Sequence, residues 1–164
     1  MTYTVRPYRT GEEHYVAEAH RRLYTEEYRW GSAFTDYAAA IALTFPRRTA
    51  CEGEALWIAE ADGVPVGSIM LCATDEPHVG QLRLFLVEPP YRRCGIGAAL
   101  SGALLKKARD YGYRRLILWS ASPLRDALRH YETLGFTYEE KTENREWSLD
   151  GDVVYEIKMS LSLQ

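Results

Sequence analysis

Apolar and polar positions along this chain repeat with two periods, and the switches between them mark its elements. Residues 3–8 (YTVRPY) suit a first strand. Helical spacing follows: Val16, Ala19 and Leu23 share one face, and Thr10 with Glu13 reads as a capping box that opens this helix. Phe34, Ala38, Ile41 and Phe45 make a second helical face, with Ser32 as its cap and Pro46 as its stop. The stretch between, TEEYRWGS, reads as a loop rich in Tyr, Trp and Glu. Residues 55–61 (ALWIAEA) and 64–73 (VPVGSIMLCA) flank Asp62 and Gly63, a hairpin signal. Residues 81–88 (QLRLFLVE) make a strand that Pro89 and Pro90 end, since proline cannot donate to a ladder.

After Gly95, the stripe Ile96, Leu100, Leu104, Ala108 and Tyr111 has helical spacing, and Gly112 fits its C-terminal cap. Residues 115–119 (RLILW) form the next strand. Ser122 and Pro123 read as an N-cap and first helical residue, ahead of the stripe Leu124, Ala127, Leu128, Tyr131 and Leu134. Residues 136–140 and 153–161 read as closing strands, the second alternating cleanly through Tyr155, Ile157, Met159 and Leu161. The order is β-α-α-β-β-β-α-β-α-β-β. A meander followed by a strand–helix–strand crossover predicts an α/β fold of mixed α+β character. Its centre is a twisted mixed sheet of about seven strands with helices on both faces.

Composition narrows the class. A chain of 164 residues fits one domain, 1–164, able to bury roughly 70% of its unfolded surface. With 46% apolar and 26% charged residues it reads as soluble and globular. A net charge of −3 argues against bulk nucleic-acid binding, which calls for a basic face. The opening MTYTVRPYRT has no apolar h-region, so no signal peptide is expected, and no apolar run approaches the roughly 20 residues of a membrane span. Cys51, Cys72 and Cys94, odd in number and widely spaced, suit a reducing cytoplasm better than a disulfide framework. The four histidines are scattered and no metal-ligand spacing occurs.

The chemistry concentrates in YRRCGIGAALSG. Arg92 and Arg93 meet Gly95 and Gly97 at the mouth of an apolar helix. Helix N-termini leave backbone N–H groups unpartnered and partially positive, glycine lets an anion approach them, and arginine adds charge-assisted donors. The combination suits a phosphate or pyrophosphate. A Walker loop would need Gly-Lys-Ser/Thr, which is missing. A dinucleotide fingerprint would need a third glycine where Leu100 stands, and an acid where the next strand ends Leu118, Trp119, Ser120.

A third cradle fits. Arg92, Arg93, Cys94, Gly95, Ile96, Gly97 and Ala98 resemble the pyrophosphate loop of the GNAT acetyltransferases, written Gln/Arg-x-x-Gly-x-Gly/Ala. The preceding LFLVEPPYR is similar to the family's strand. Ala127, Tyr131, Gly135 and Phe136 reproduce its second signature, Ala-x-x-x-Tyr-x-x-x-Gly-Phe, about 30 residues further on. Residues 56–67 resemble the family's second and third strands. The segments LRLFLVEP, LILWSAS and RHYETLGF are similar in style to the GNAT halves of proteins that carry a MarR-type regulator.

The resemblance implies an N-acetyltransferase that uses acetyl-CoA, with CoA as product and an amine-bearing acceptor as partner. Pantetheine would lie where strands 81–88 and 115–119 splay, bonded to backbone near Leu86 and Val87, with the pyrophosphate on the amides of residues 93–98. Tyr131 matches the tyrosine that often protonates the CoA sulfur, although it also sits on the apolar stripe with Leu124 and Leu128. The oxyanion donor would be a backbone N–H near Leu86. Some relatives place a basic glutamate where Gln81 stands here. Glu27, Glu26 or Glu88 remain as bases, the first two in the acceptor loop, and a water chain is the alternative.

Leu124 replaces an asparagine that contacts CoA in many relatives, and Ser120 or Ser122 can stand in for it. Cys94 at a helix N-terminus is either a stabilised, redox-sensitive thiolate or a small tolerated residue. Arg83, a cation amid QLRLFLVE, faces a substrate carboxylate or a neighbouring acid. Tyr24, Tyr28 and Trp30 either line a pocket for an amine with an apolar body or pack the helix ends. Closing strands in this family often take part in a homodimer. The competing reading is an acyl-CoA-binding sensor without turnover, to which Gln81 and Leu124 give weight.

Overall fold

In a computed structural model, residues 2–48 and 51–164 are described. The elements follow the expected order: β1 (Tyr3–Pro7), α1 (Glu13–Tyr28), α2 (Ser32–Thr44), β2 (Ala55–Ala61), β3 (Val64–Ala73), β4 (Val79–Val87), α3 (Ile96–Tyr111), β5 (Arg115–Ala121), α4 (Arg125–Thr133), β6 (Thr137–Asn144) and β7 (Val154–Ser162). The seven strands form one mixed sheet in the order β1-β2-β3-β4-β5-β7-β6. Only β4 and β5 pair in parallel, with α3 as their crossover.

Alternation along the strands feeds two cores. Ile69, Leu71, Leu82, Leu116, Leu118 and Met159 face α3 and α4, where they meet Leu100, Leu104, Leu128 and Tyr131. Leu56, Ile58, Met70 and Cys72 face α1 and α2, where they meet Val16, Ala39 and Ala42. No helix among the described residues is long and apolar enough to cross a membrane.

Three local expectations are corrected. Thr10 does not cap α1. The Gly11 N–H and the Tyr8 hydroxyl both donate to Glu13 Oε1, at 2.8 and 2.6 Å, so Glu13 closes the turn that precedes the helix. The stretch read as a loop continues α1 as far as Tyr28, and only Arg29, with φ 54°, breaks it. Ser122 does not cap α4. Its hydroxyl accepts from the Tyr155 N–H at 3.1 Å and its own N–H donates to the Tyr155 carbonyl at 2.9 Å, so β7 claims it.

Two features open the sheet. The β4–β5 ladder ends at Leu82 opposite Leu118, although β5 runs on along β7 to Ala121. A bulge then inserts one residue into β4: Met70 pairs with Arg83 but Ser68 with Leu86. Leu84 takes φ 52° within the bulge, and the buried Ser68 hydroxyl donates to its carbonyl at 2.7 Å. The bulge turns Phe85 toward Tyr131, with ring centroids 5.9 Å apart, while Leu84 and Leu86 face the α1 side.

Candidate active site

The split between β4 and β5 opens into a cleft of about 1420 Å³ that runs between the two helical layers. One end is the loop before α3. Arg93 and Gly95 both have left-handed backbone, φ 59° and 88°, which turns successive amides the same way. Among the described residues, the N–H groups of Arg93, Cys94, Gly95, Ile96, Gly97 and Ala98 have no acceptor, and the first backbone bond of the helix is Ala99 N–H to the Gly95 carbonyl. Six free amides at one helix mouth make an anion site. Arg93 and Gly97 line the cleft; a Cβ on Gly97 would stand 3.2 Å from the Phe85 ring. The Ile96 side chain is buried, so this residue offers only its backbone, and exposed Cys94 turns back to bond the Arg92 carbonyl at 3.4 Å.

Arg92 has a different task. Its Nε donates to the Val87 carbonyl at 2.8 Å, and its two terminal nitrogens hold both oxygens of Glu27. Glu27, expected as a base, therefore sits in a two-point ion pair. The Glu88 N–H donates to Val66 on β3 at 2.8 Å. Alternation then sends the Leu86 backbone groups to β3 as well and the Val87 groups to the split. The Leu86 side chain lines the cleft against Ala19 and Leu23.

At the centre, Tyr131 is 6% exposed, and its hydroxyl has no partner among the described residues. Burial, with Tyr24 nearby, raises its pKa well above that of free tyrosine, so it stays a phenol. Tyr24, on α1, is likewise kept protonated, chiefly by burial. His20 stacks on Tyr24 at 5.8 Å and is driven down to about 4 by burial, so it is neutral at pH 7. Ser120 lines the cleft with a buried, unpartnered Oγ; Ser122, spent on Tyr155, does not line it.

The far end is aromatic. Trp30 is 1% exposed and meets Tyr24, Phe34 and Trp147 at 5.4, 4.8 and 5.1 Å. Trp147 comes from the β6–β7 connection, which docks on the α1–α2 corner through the Gly31 N–H to the Trp147 carbonyl, 2.8 Å, and the Leu149 N–H to the Arg29 carbonyl, 2.8 Å. Arg83, Trp119 and Glu156 complete this end. Sequence reasoning missed His20, Trp147 and Glu156. Neither Trp147 nor Glu156 had a local signal: Glu156 occupies the polar phase of the β7 alternation, where an acid is ordinary.

Residues 16–136 match the model of the Acetyltransferase (GNAT) family, and the chain belongs to that family. Among curated proteins it is similar to human N-acetyltransferase 8, 34% identical over 88 residues, which covers 51% of this chain and 39% of that protein. The mouse N-acetyltransferase 8 is 32% identical over 109 residues, 63% of this chain and 48% of that protein. The chain thus spans about half or less of the curated relatives it matches. A GNAT-family acetyltransferase from Staphylococcus aureus Mu50 superposes with a TM-score of 0.83 at 14% identity, covering 99% of this chain and 100% of that one. The structure of yncA from Salmonella typhimurium with its cofactor acetyl-CoA superposes with a TM-score of 0.78 at 19% identity, covering 100% and 95%. At these identities the solved structures establish the fold.

Proposed function

We propose that residues 1–164 act as a single N-acetyltransferase domain that moves the acetyl group of acetyl-CoA to an amine in a ternary complex. The observation that carries this reading is the row of six unpartnered amides, residues 93–98, opening into the split between β4 and β5. These residues fit a pyrophosphate. The Val87 N–H fits a pantetheine amide or the developing oxyanion. Acetyl-CoA supplies an activated thioester.

The chain's own groups carry the rest. The neutral amine attacks the thioester carbon, a C–N bond forms, and the C–S bond breaks. Tyr131 gives its proton to the departing sulfur, and the amine loses one proton to a carboxylate or water. Glu27 is taken up by Arg92, so its role in this reading is to hold that arginine against the end of β4. Glu156 is the acceptor-side carboxylate able to take a proton. Ser120 fills the place of the missing asparagine better than Ser122.

Two finer readings accompany this one. The segments quoted above support kinship with the GNAT halves of MarR-type fusions, and the exposed edge strand β6 supports pairing with a second copy.

Thermal melting with acetyl-CoA, CoA and NAD, followed by thiol release on an amine panel, tests the proposal. A shift with acetyl-CoA and CoA but not NAD, plus release on an amine, is expected. A shift without release on any amine favours the sensor reading. The absence of any shift overturns the cradle.

A further inference from the structure

The acceptor end of the cleft holds two opposite charges that the fold does not neutralise. Arg83 stands one residue past the last β4–β5 rung. Leu82 turns into the α3 core, and Met70, directly opposite Arg83, packs in the α1–α2 core, so Arg83 projects on the α1–α2 face. Other half-buried arginines are paired: Arg6 with Glu12 and Glu60, Arg22 with Glu88. Among the described residues, half-buried Arg83 has neither an ion-pair nor a hydrogen-bond partner, and it lines the cleft. Glu156 stands opposite Ala121, which packs with Trp30, so it shares that face. Its Oε2 accepts from Asn144 Nδ2 at 3.1 Å, and no cation reaches it. Trp119, in register between the two strands, floors the space between them.

A guanidinium withdrawn from water without an anion costs free energy, and a ligand carboxylate removes that cost through two parallel N–H···O bonds. A carboxylate without a cation, two strands away across Trp119, suits an ammonium. The aromatic wall suits an apolar body. We propose that the acceptor is an amino acid with a free carboxylate and an apolar side chain: Arg83 binds the carboxylate, Glu156 receives the amine, and Trp30, Phe34 and Trp147 take the side chain. The inference rests on the acetyltransferase reading above and names its substrate class.

The test compares each of phenylalanine, tryptophan and leucine with its amide and its decarboxylated amine, by thiol release from acetyl-CoA with the full chain. The corresponding N-acetyl amino acids and N-acetyl amides are titrated against the CoA-bound protein, so that binding reports even where turnover is slow. At least one free amino acid is expected to exceed its amide tenfold or more in kcat/KM, and its N-acetyl product to bind tenfold tighter than the amide. Arg83→Gln abolishes that preference through KM, Arg83→Lys keeps part of it, and Glu156→Gln lowers kcat/KM for all the amines. CoA affinity stays unchanged in all three variants, which also checks their fold. Acid and amide treated alike, or a preference that survives Arg83→Gln, overturns the proposal and leaves acetyl transfer standing. Absence of CoA binding in the unaltered protein overturns the acetyltransferase reading itself.

Discussion

Glu27 and Arg92 are joined twice: Arg92 Nη1 donates to Oε2 at 2.8 Å and Nη2 to Oε1 at 2.7 Å. The same guanidinium donates through Nε to the Val87 carbonyl. One arginine therefore ties the last turn of α1 and the end of β4 to the start of the anion loop. Both side chains are partly exposed, 40% for Arg92 and 27% for Glu27, so screening keeps the pair's contribution to stability near 1 kcal/mol or less.

Glu27→Gln is accordingly expected to lower the melting temperature by no more than about 2–4 °C. It is also expected to raise KM for acetyl-CoA as the loop loosens, while the acid limb of the kcat/KM profile remains. A profile whose acid limb disappears in this variant would return Glu27 to the role of base.

The cradle reading makes a charge-specific prediction at Gly97. A Cβ there meets the Phe85 ring at 3.2 Å, so every substitution carries some steric cost. Gly97→Glu and Gly97→Gln share that cost but differ in charge. The glutamate variant is expected to lose tenfold or more in CoA affinity relative to the glutamine variant, because its carboxylate competes for the free amides. Calorimetric titration of CoA checks this, and equal affinities in the two variants refute the phosphate assignment.

Tyr131→Phe separates chemistry from packing. The ring lies 6.0 Å from Phe136 and 5.9 Å from Phe85, contacts that phenylalanine keeps. Stability should change by less than about 1.5 kcal/mol and acetyl-CoA affinity by less than about twofold. Loss of the acid should lower kcat by roughly 10²-fold or more. Burial keeps Tyr131 protonated past the range of free tyrosine, so its loss of a proton does not reduce activity at pH 9. A kcat that stays within threefold of the unaltered protein removes Tyr131 from the mechanism.

What the chain revealed in advance follows from the range of its interactions. The β2–β3 bounds were readable because the Asp62–Gly63 turn and the flanking apolar residues act locally, and the strands fall at Ala55–Ala61 and Val64–Ala73. The glycine turn that opens α3 was readable for the same reason, with Gly95 at φ 88° just before Ile96. TEEYRWGS was misread because polarity suggested a loop, while Glu26 and Glu27 favour helix and Tyr28 packs on Trp30. Ser122 had the right sequence for a cap, but Tyr155, 33 residues on, took its hydroxyl. The bulge at Leu84 is hidden inside a continuous apolar run. Trp147 reaches the cleft only because the β6–β7 connection docks on the α1–α2 corner, and Glu156 only through β5–β7 pairing, neither of which a local pattern encodes.

Burial of His20 gives this fold one source of acid sensitivity. It is 3% exposed, and its Nδ1 lies 2.8 Å from the Val16 carbonyl, which can only accept, so Nδ1 carries the proton of a neutral ring. Burial is the largest cause that holds its folded pKa down to about 4, against the upward pull of that hydrogen bond and of Glu88. The unfolded ring titrates near 6.5. Between those values the unfolded chain binds a proton that the folded chain refuses. The neutral ring's contribution is therefore complete above pH 6.5 and declines as pH falls toward 4, by up to about 1.4 kcal/mol per pH unit. Other groups titrate in the same window, so the informative quantity is the difference between the unaltered protein and His20→Gln. Urea unfolding at pH 7.0, 5.5 and 4.5 is expected to show the unaltered protein more stable at pH 7, with the gap narrowing at each step. A gap that stays constant from pH 7 to 4.5 would mean that His20 titrates alike in both states and that its burial does not govern acid stability.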